Sequence, residues 1–181
     1  DAARPRIDIA KLQEAQGDAT SAFQTLLALA NDVPAALPLV AGKLAALAAV
    51  TGQQAAAHAV LSAAQAKRPG IDCVEALAAL VPAGDAAGAA KLYLAHLQQE
   101  PSLGGATNWL NLQPTPQTES TTADTGNTPL PGAVSQALAA ACKPLRRYRC
   151  AACGFEAGAH FWQCPGCQSW DSYSPRRVEE L

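Results

Sequence analysis

A chain of 181 residues with only 5% aromatics, its apolar content supplied mostly by alanine and leucine, suits closely packed helices better than a β-sandwich, which wants branched and aromatic side chains. A net charge of −2 implies no bulk attraction to nucleic acid. No window approaches the roughly 18 to 20 uninterrupted apolar residues of a membrane span, and no signal peptide or lipidation motif is visible.

The chain opens at Asp1 in the middle of a helical pattern, so it reads as a soluble fragment of a longer protein. Three stretches then fall into register. Gly17-Asp18 is followed by Ala22, Leu26, Leu29 and Pro34; Gly52-Gln53 by Ala57, Leu61, Ala64 and Pro69; Gly84-Asp85 by Ala89, Tyr93, His96 and Pro101. Successive glycines lie 35 and 32 residues apart. Glycine closes the first helix of a pair, where a positive φ is needed. Alanine follows where two helices approach closely, and the next two apolar positions share one face of the second helix. Proline ends the unit because it cannot continue the helix. The pattern resembles the second half of a tetratricopeptide repeat. The first halves fit more loosely, with Ala41 and Cys73 where a large aromatic often opens such repeats. His58 reads as a solvated surface residue and His96 as a core histidine.

A fourth unit is interrupted. Leu103 to Leu112, with Trp109, reads as a first helix. Pro114 to Pro131 is rich in Thr, Pro, Ser, Asn and Gly without apolar periodicity, and is expected to be a mobile loop. Gly132 to Cys142 resumes the helix. Cys73 and Cys142 read as small buried apolar residues.

The remaining four cysteines, Cys150, Cys153, Cys164 and Cys167, form Cys-x-x-Cys, ten residues, Cys-x-x-Cys. Two residues between cysteines let the backbone curl into a knuckle whose sulfurs reach one ion at about 2.3 Å. Crowding of four cysteines in an otherwise cysteine-poor chain points to metal in a reducing compartment rather than to two disulfides. The four are the expected ligands of one tetrahedral ion, iron or zinc. Gly154 supplies a positive φ after the first knuckle, whereas Gln168 stands at the matching place after the second. Tyr148, Phe155, Phe161, Trp162, Trp170 and Tyr173 offer a small aromatic cluster. His160 lies between the knuckles, but four thiolates already fill a tetrahedral site. Lys143, Arg146, Arg147 and Arg149 precede the ribbon, and are read first as balancing thiolate charge or meeting a partner, then as touching anionic lipid, and last as holding nucleic acid.

The expected architecture is an all-α helical-repeat solenoid, tetratricopeptide-like, over residues 1–145 with a mobile loop at 114–131, followed by a small rubredoxin-like metal ribbon over 146–181. The short link containing Pro144 predicts that the ribbon packs on the repeats. Trp162 and Trp170 are expected to meet Leu138, Leu145 and Trp109 there.

Tyr148-Arg149-Cys150-x-x-Cys153-Gly154-Phe155, then Trp162-x-Cys164-Pro165-x-Cys167-x-x-Trp170, placed after such repeats, resembles the C-terminal part of the lipopolysaccharide assembly protein B family of Gram-negative bacteria. The tail match covers about Arg147 to Pro175; the loop at 114–131 is not part of the family pattern. The resemblance implies anchoring to the inner membrane by an N-terminal helix absent from this fragment, facing the cytoplasm. It implies a non-enzymatic adaptor that regulates lipid A synthesis, linking a biosynthetic deacetylase to a membrane-bound ATP-dependent protease and to other lipopolysaccharide assembly proteins. It also makes the four cysteines metal ligands. Two other readings stand beside it: an iron redox module, and an accessory to a glycosyltransferase, although the chain has no Gly-rich nucleotide loop or catalytic domain.

Overall fold

A computed structural model describes residues 3–113 and 131–181. The segment expected to be a mobile loop lies outside the described residues apart from its last position, Pro131. The helices pair as the glycines predict: α1 (Ala3–Ala15) with α2 (Ala19–Asp32), α3 (Leu37–Thr51) with α4 (Gln54–Lys67), and α5 (Ile71–Ala79) with α6 (Ala86–Gln99). The fourth pair is α7 (Leu103–Asn111) with α8 (Pro131–Cys142). Each pair packs internally and on the next, through α2 on α3, α3 and α4 on α5, and α6 on α7.

The turns carry the expected backbone. Gly17, Gly52 and Gly84 adopt φ of 81°, 72° and 98°, a region that costs side-chain-bearing residues about 1–2 kcal/mol. The residue after each glycine begins the second helix. Asp18 accepts the Ser21 N–H at 2.9 Å and Asp85 the Gly88 N–H at 2.8 Å, satisfying donors that a helix start leaves unpaired. The aligned Gln53 provides no such cap.

The repeated apolar positions form the core. Ala22, Leu26, Leu29, Ala57, Leu61, Ala89, Tyr93 and His96 are buried, and Ala64 is partly buried against them. One cluster runs from α1 to α5, and a smaller one joins Ile71, Val74 and Tyr93 to Trp109 and Leu112. His96 sits among these as a core histidine: its Nδ1 lies 3.0 Å from Gln65 Nε2 and its Nε2 3.3 Å from Ser102 Oγ. Burial lowers its pKa. His58 is exposed. Cys73 and Cys142 are buried free thiols, as their apolar surroundings predicted.

One expectation is corrected. Pro34–Thr51 has a mean hydropathy of 1.6 and is, by length and composition, apolar enough to cross a membrane. In the fold this stretch is a short turn plus α3, and Leu37, Val40, Leu44 and Leu47 are core residues. It is continuously apolar because α3 has neighbours on several sides: α2, α4 and α5.

The C-terminal ribbon is joined to the repeats by its last residues. Glu180 Oε1 accepts the Ile71 N–H at 2.7 Å and Glu179 Oε2 the Gly104 N–H at 3.0 Å, so the two carboxylates sit on the N-termini of α5 and α7. Arg177 bridges Asp72 at 2.5 Å and Glu75 at 3.1 Å. Arg176 donates to the Pro69 carbonyl at 2.7 Å. This polar strap replaces the expected aromatic contact. Trp109 is occupied within the repeat core, and Trp170 is 57% exposed with the Arg4 guanidinium 5.3 Å from its ring. The strap prevails because helix N-termini present unpaired N–H groups and partial positive charge that acidic side chains satisfy.

Candidate metal centre

A two-stranded hairpin presents the first knuckle. β1 (Tyr148–Arg149) pairs antiparallel with β2 (Glu156–Ala157), setting Tyr148 opposite Ala157 and Arg149 opposite Glu156. Between them Cys150 N–H donates to the Phe155 carbonyl at 2.9 Å and Gly154 N–H to the Cys150 carbonyl at 2.8 Å. Gly154 turns the chain at φ 77°. The second knuckle repeats this geometry: Cys164 N–H donates to Ser169 O at 2.9 Å and Gln168 N–H to Cys164 O at 2.8 Å. Gln168 therefore holds the station that glycine holds in the first knuckle, at φ 62°. The departure from the glycine pattern leaves the fold of the knuckle intact. A single bridge of Gln163 with Trp170 closes the second knuckle, and one of Cys150 with Tyr173 joins the first knuckle to the segment that follows the second.

The closure gathers Cys150, Cys153, Cys164 and Cys167 so that all four sulfurs lie within 4.8 Å of one another. Cys150 and Cys167 sulfurs are 3.8 Å apart, and those of Cys153 and Cys164 3.7 Å. These separations are too long for a disulfide, whose sulfurs lie at about 2.0 Å. They equal the edge of a tetrahedron whose centre lies about 2.3 Å from each corner, the zinc–thiolate distance. The donor set thus fits one four-coordinate ion, and its softness suits zinc or iron.

Hydroxyl groups that sequence reading did not identify surround the sulfurs. Ser172 Oγ lies 3.2 Å from Cys150 Sγ, Ser169 Oγ 3.3 Å from Cys167 Sγ, and Tyr173 Oη 4.0 Å from Cys164 Sγ. Each can donate to an ionised sulfur. Ser172 accordingly draws the Cys150 thiol down to about 6, with backbone N–H groups adding to the effect. Ser169 lowers Cys167 in the same way. Cys153 receives the Phe155 N–H, which favours its thiolate, but the neighbouring sulfurs of Cys167, Cys150 and Cys164, together with partial desolvation of its own sulfur, hold it up at about 12. Four thiolates so close together require a cation to ionise as a set. Cys150 and Cys164 are buried, whereas Cys153 and Cys167 reach the surface.

The aromatic cluster is smaller than the residue types suggest. His160 stands edge-on to Trp162 at 4.8 Å, Tyr148 at 5.7 Å and Tyr173 at 6.0 Å, serving as packing. Phe161 also meets Tyr173 edge-on at 6.1 Å, whereas Phe155 and Trp170 are largely exposed. Two of the four basic residues before the ribbon meet carboxylates: Arg149 pairs with Glu156 at 2.7 Å and Arg146 with Glu75 at 3.9 Å. Stabilisation of the thiolates comes instead from hydroxyl and backbone donors.

Residues 148–175 match the family model described as the rubredoxin metal binding domain. Lipopolysaccharide assembly protein B of Escherichia coli K12 is 48% identical over 31 residues, as is that of Escherichia coli O157:H7. The match covers 17% of this chain and only 8% of the length of these curated relatives. The C-terminal ribbon of this chain is rubredoxin-like, matches a metal-binding family model over residues 148–175, and is similar over 31 residues to lipopolysaccharide assembly protein B.

Proposed function

We propose that the chain belongs to a non-enzymatic adaptor of lipopolysaccharide assembly, in which Cys150, Cys153, Cys164 and Cys167 hold one iron or zinc ion. The observation that carries this reading is the four-sulfur tetrahedron inside a ribbon similar to that of lipopolysaccharide assembly protein B. Stacked helix pairs support it further, since such solenoids offer extended binding surfaces. In this reading the ion stiffens a cap that the strap holds on α5 and α7. The repeats present their surface to a lipid A pathway deacetylase and a membrane-bound ATP-dependent protease, and to other lipopolysaccharide assembly proteins, at the cytoplasmic face of the inner membrane. Calorimetric titration of the metal-loaded chain with purified deacetylase, and separately with the protease's soluble domain, tests it. Saturable binding to at least one is expected, with loss in a Cys150→Ser/Cys164→Ser variant. Binding to neither contradicts the adaptor role.

A further inference from the structure

A cavity of about 400 Å³ lies where the repeats meet the strap, apart from the metal centre. Four prolines line it: Pro34 and Pro38 from the start of the second helix pair, Pro69 from its end, and Pro175 from the strap. The site is therefore composite and complete only when ribbon and repeats are joined. Proline rings give it rigid apolar walls, so little ordering is required when a ligand enters.

Its charges divide into two groups. The acidic lining residues are already committed, Asp72 to Arg177, and Glu180 to Arg176 and the Ile71 N–H. Lys67 and Arg68, at the end of α4, also line the cavity, are exposed, and pair with no carboxylate among the described residues. The unbalanced charge at this mouth is positive, over an apolar interior.

We propose that this cavity docks an acidic peptide segment of a protein partner, seating one aromatic side chain between the prolines with flanking carboxylates against Lys67 and Arg68. The proposal rests on the adaptor reading and names the chemistry of a partner. Size favours a peptide: the volume is near the lower end of the range of about 300–1,000 Å³ for ligand sites, room for one large side chain rather than the paired acyl chains of a lipid. The molecule itself also gives a precedent. Its own acidic strap, a short 3-10 turn over Val178–Glu180, is seated on the adjoining helix N-termini through Glu179 and Glu180, so this corner already receives carboxylates from a peptide segment.

The test uses the metal-loaded full chain and a fluorescent peptide, acetyl-Glu-Asp-Phe-Glu-Asp-amide. Amide shifts are expected around Arg68, Gly70 and Ser174, with affinity falling as salt rises. A Lys67→Glu/Arg68→Glu variant, chosen because both residues are exposed, should weaken binding by on the order of tenfold or more. Ala35→Trp, which fills the cavity, should do the same, as should replacing the peptide's phenylalanine by glycine. Unchanged thermal unfolding of the charge variant confirms that it is folded. No peptide binding at millimolar concentration overturns the proposal. So does equal binding of a lysine-substituted peptide, or binding of phosphatidylglycerol vesicles in place of the peptide. Deacetylase binding that survives the charge reversal, together with loss of peptide binding, would leave the adaptor reading intact and remove this cavity as that partner's site.

Discussion

Gln168 sits at φ 62°, where Gly154 of the other knuckle sits at 77°. A side chain there costs about 1–2 kcal/mol relative to glycine. Gln168→Gly should stabilise the metal-loaded ribbon by about 1 kcal/mol, net of glycine's greater entropy in the unfolded chain. Chemical unfolding of the two proteins checks this; a less stable glycine variant would show that the Gln163 Nε2 bond to the Gln168 carbonyl, at 3.2 Å, depends on the side chain it replaces. Asp72 is the second residue of note. Burial raises its pKa to about 6; Arg177 opposes the shift, while Glu180 and Glu75 reinforce it. Its Oδ2 has no hydrogen-bond partner among the described residues. Because the folded value lies above the ordinary 3.8, its contribution to stability is fully present below that value and is lost as pH rises through about 6. A carbon NMR titration should place the Asp72 midpoint near 6, and Asp72→Asn should flatten the stability profile between those limits; a midpoint below 4 contradicts this account. The four cysteines were legible because spacing alone encodes a knuckle. Ser169 and Ser172 were not, since a serine near a cysteine is uninformative until the bridges at Tyr173 and Trp170 fold it back.

Among the elements, α5 and α7 differ from the helices before them in being capped by carboxylates from far along the chain. Glu180 has a side chain only 1% exposed and joins both Arg176 and the α5 N-terminus. Truncating one member of a buried pair leaves the other charge uncompensated, at a typical cost of about 3–5 kcal/mol. Glu180→Ala should therefore destabilise the protein by about 3 kcal/mol, whereas Glu14→Ala, which breaks an exposed pair with Lys43, should cost less than about 1 kcal/mol. Equal losses in thermal unfolding would remove the strap from the account. The helix pairs themselves were readable from glycine, alanine and proline recurring in register, each a local requirement of backbone or close packing. The strap was not, because Glu180 and Ile71 are 109 positions apart and a short charged tail carries no periodicity. Aromatic content drew attention to Trp162 and Trp170, yet unpaired helix termini were the stronger claim on the ribbon.

For the molecule as a whole, the ribbon and the repeats are mechanically linked through a few covalent steps. Ser172, beside the Cys150 sulfur, lies only four residues before Arg176. The Ala151 N–H also donates to the Ser172 carbonyl at 2.7 Å, so the first knuckle holds the start of the strap. Removing the metal should loosen the ribbon, because a segment with so small a core draws much of its folding free energy from the ion. Amide exchange should then rise at Ile71 and Gly104 as well as in the ribbon; a response confined to the ribbon would make the two parts independent. All of this depends on the four sulfurs holding an ion. Elemental analysis of protein purified without added metal tests that most directly. One zinc or iron per chain is predicted for the unmodified protein, falling below about one tenth in the Cys150→Ser/Cys164→Ser variant. Full metal content in that variant, or none in the unmodified chain, would contradict the account.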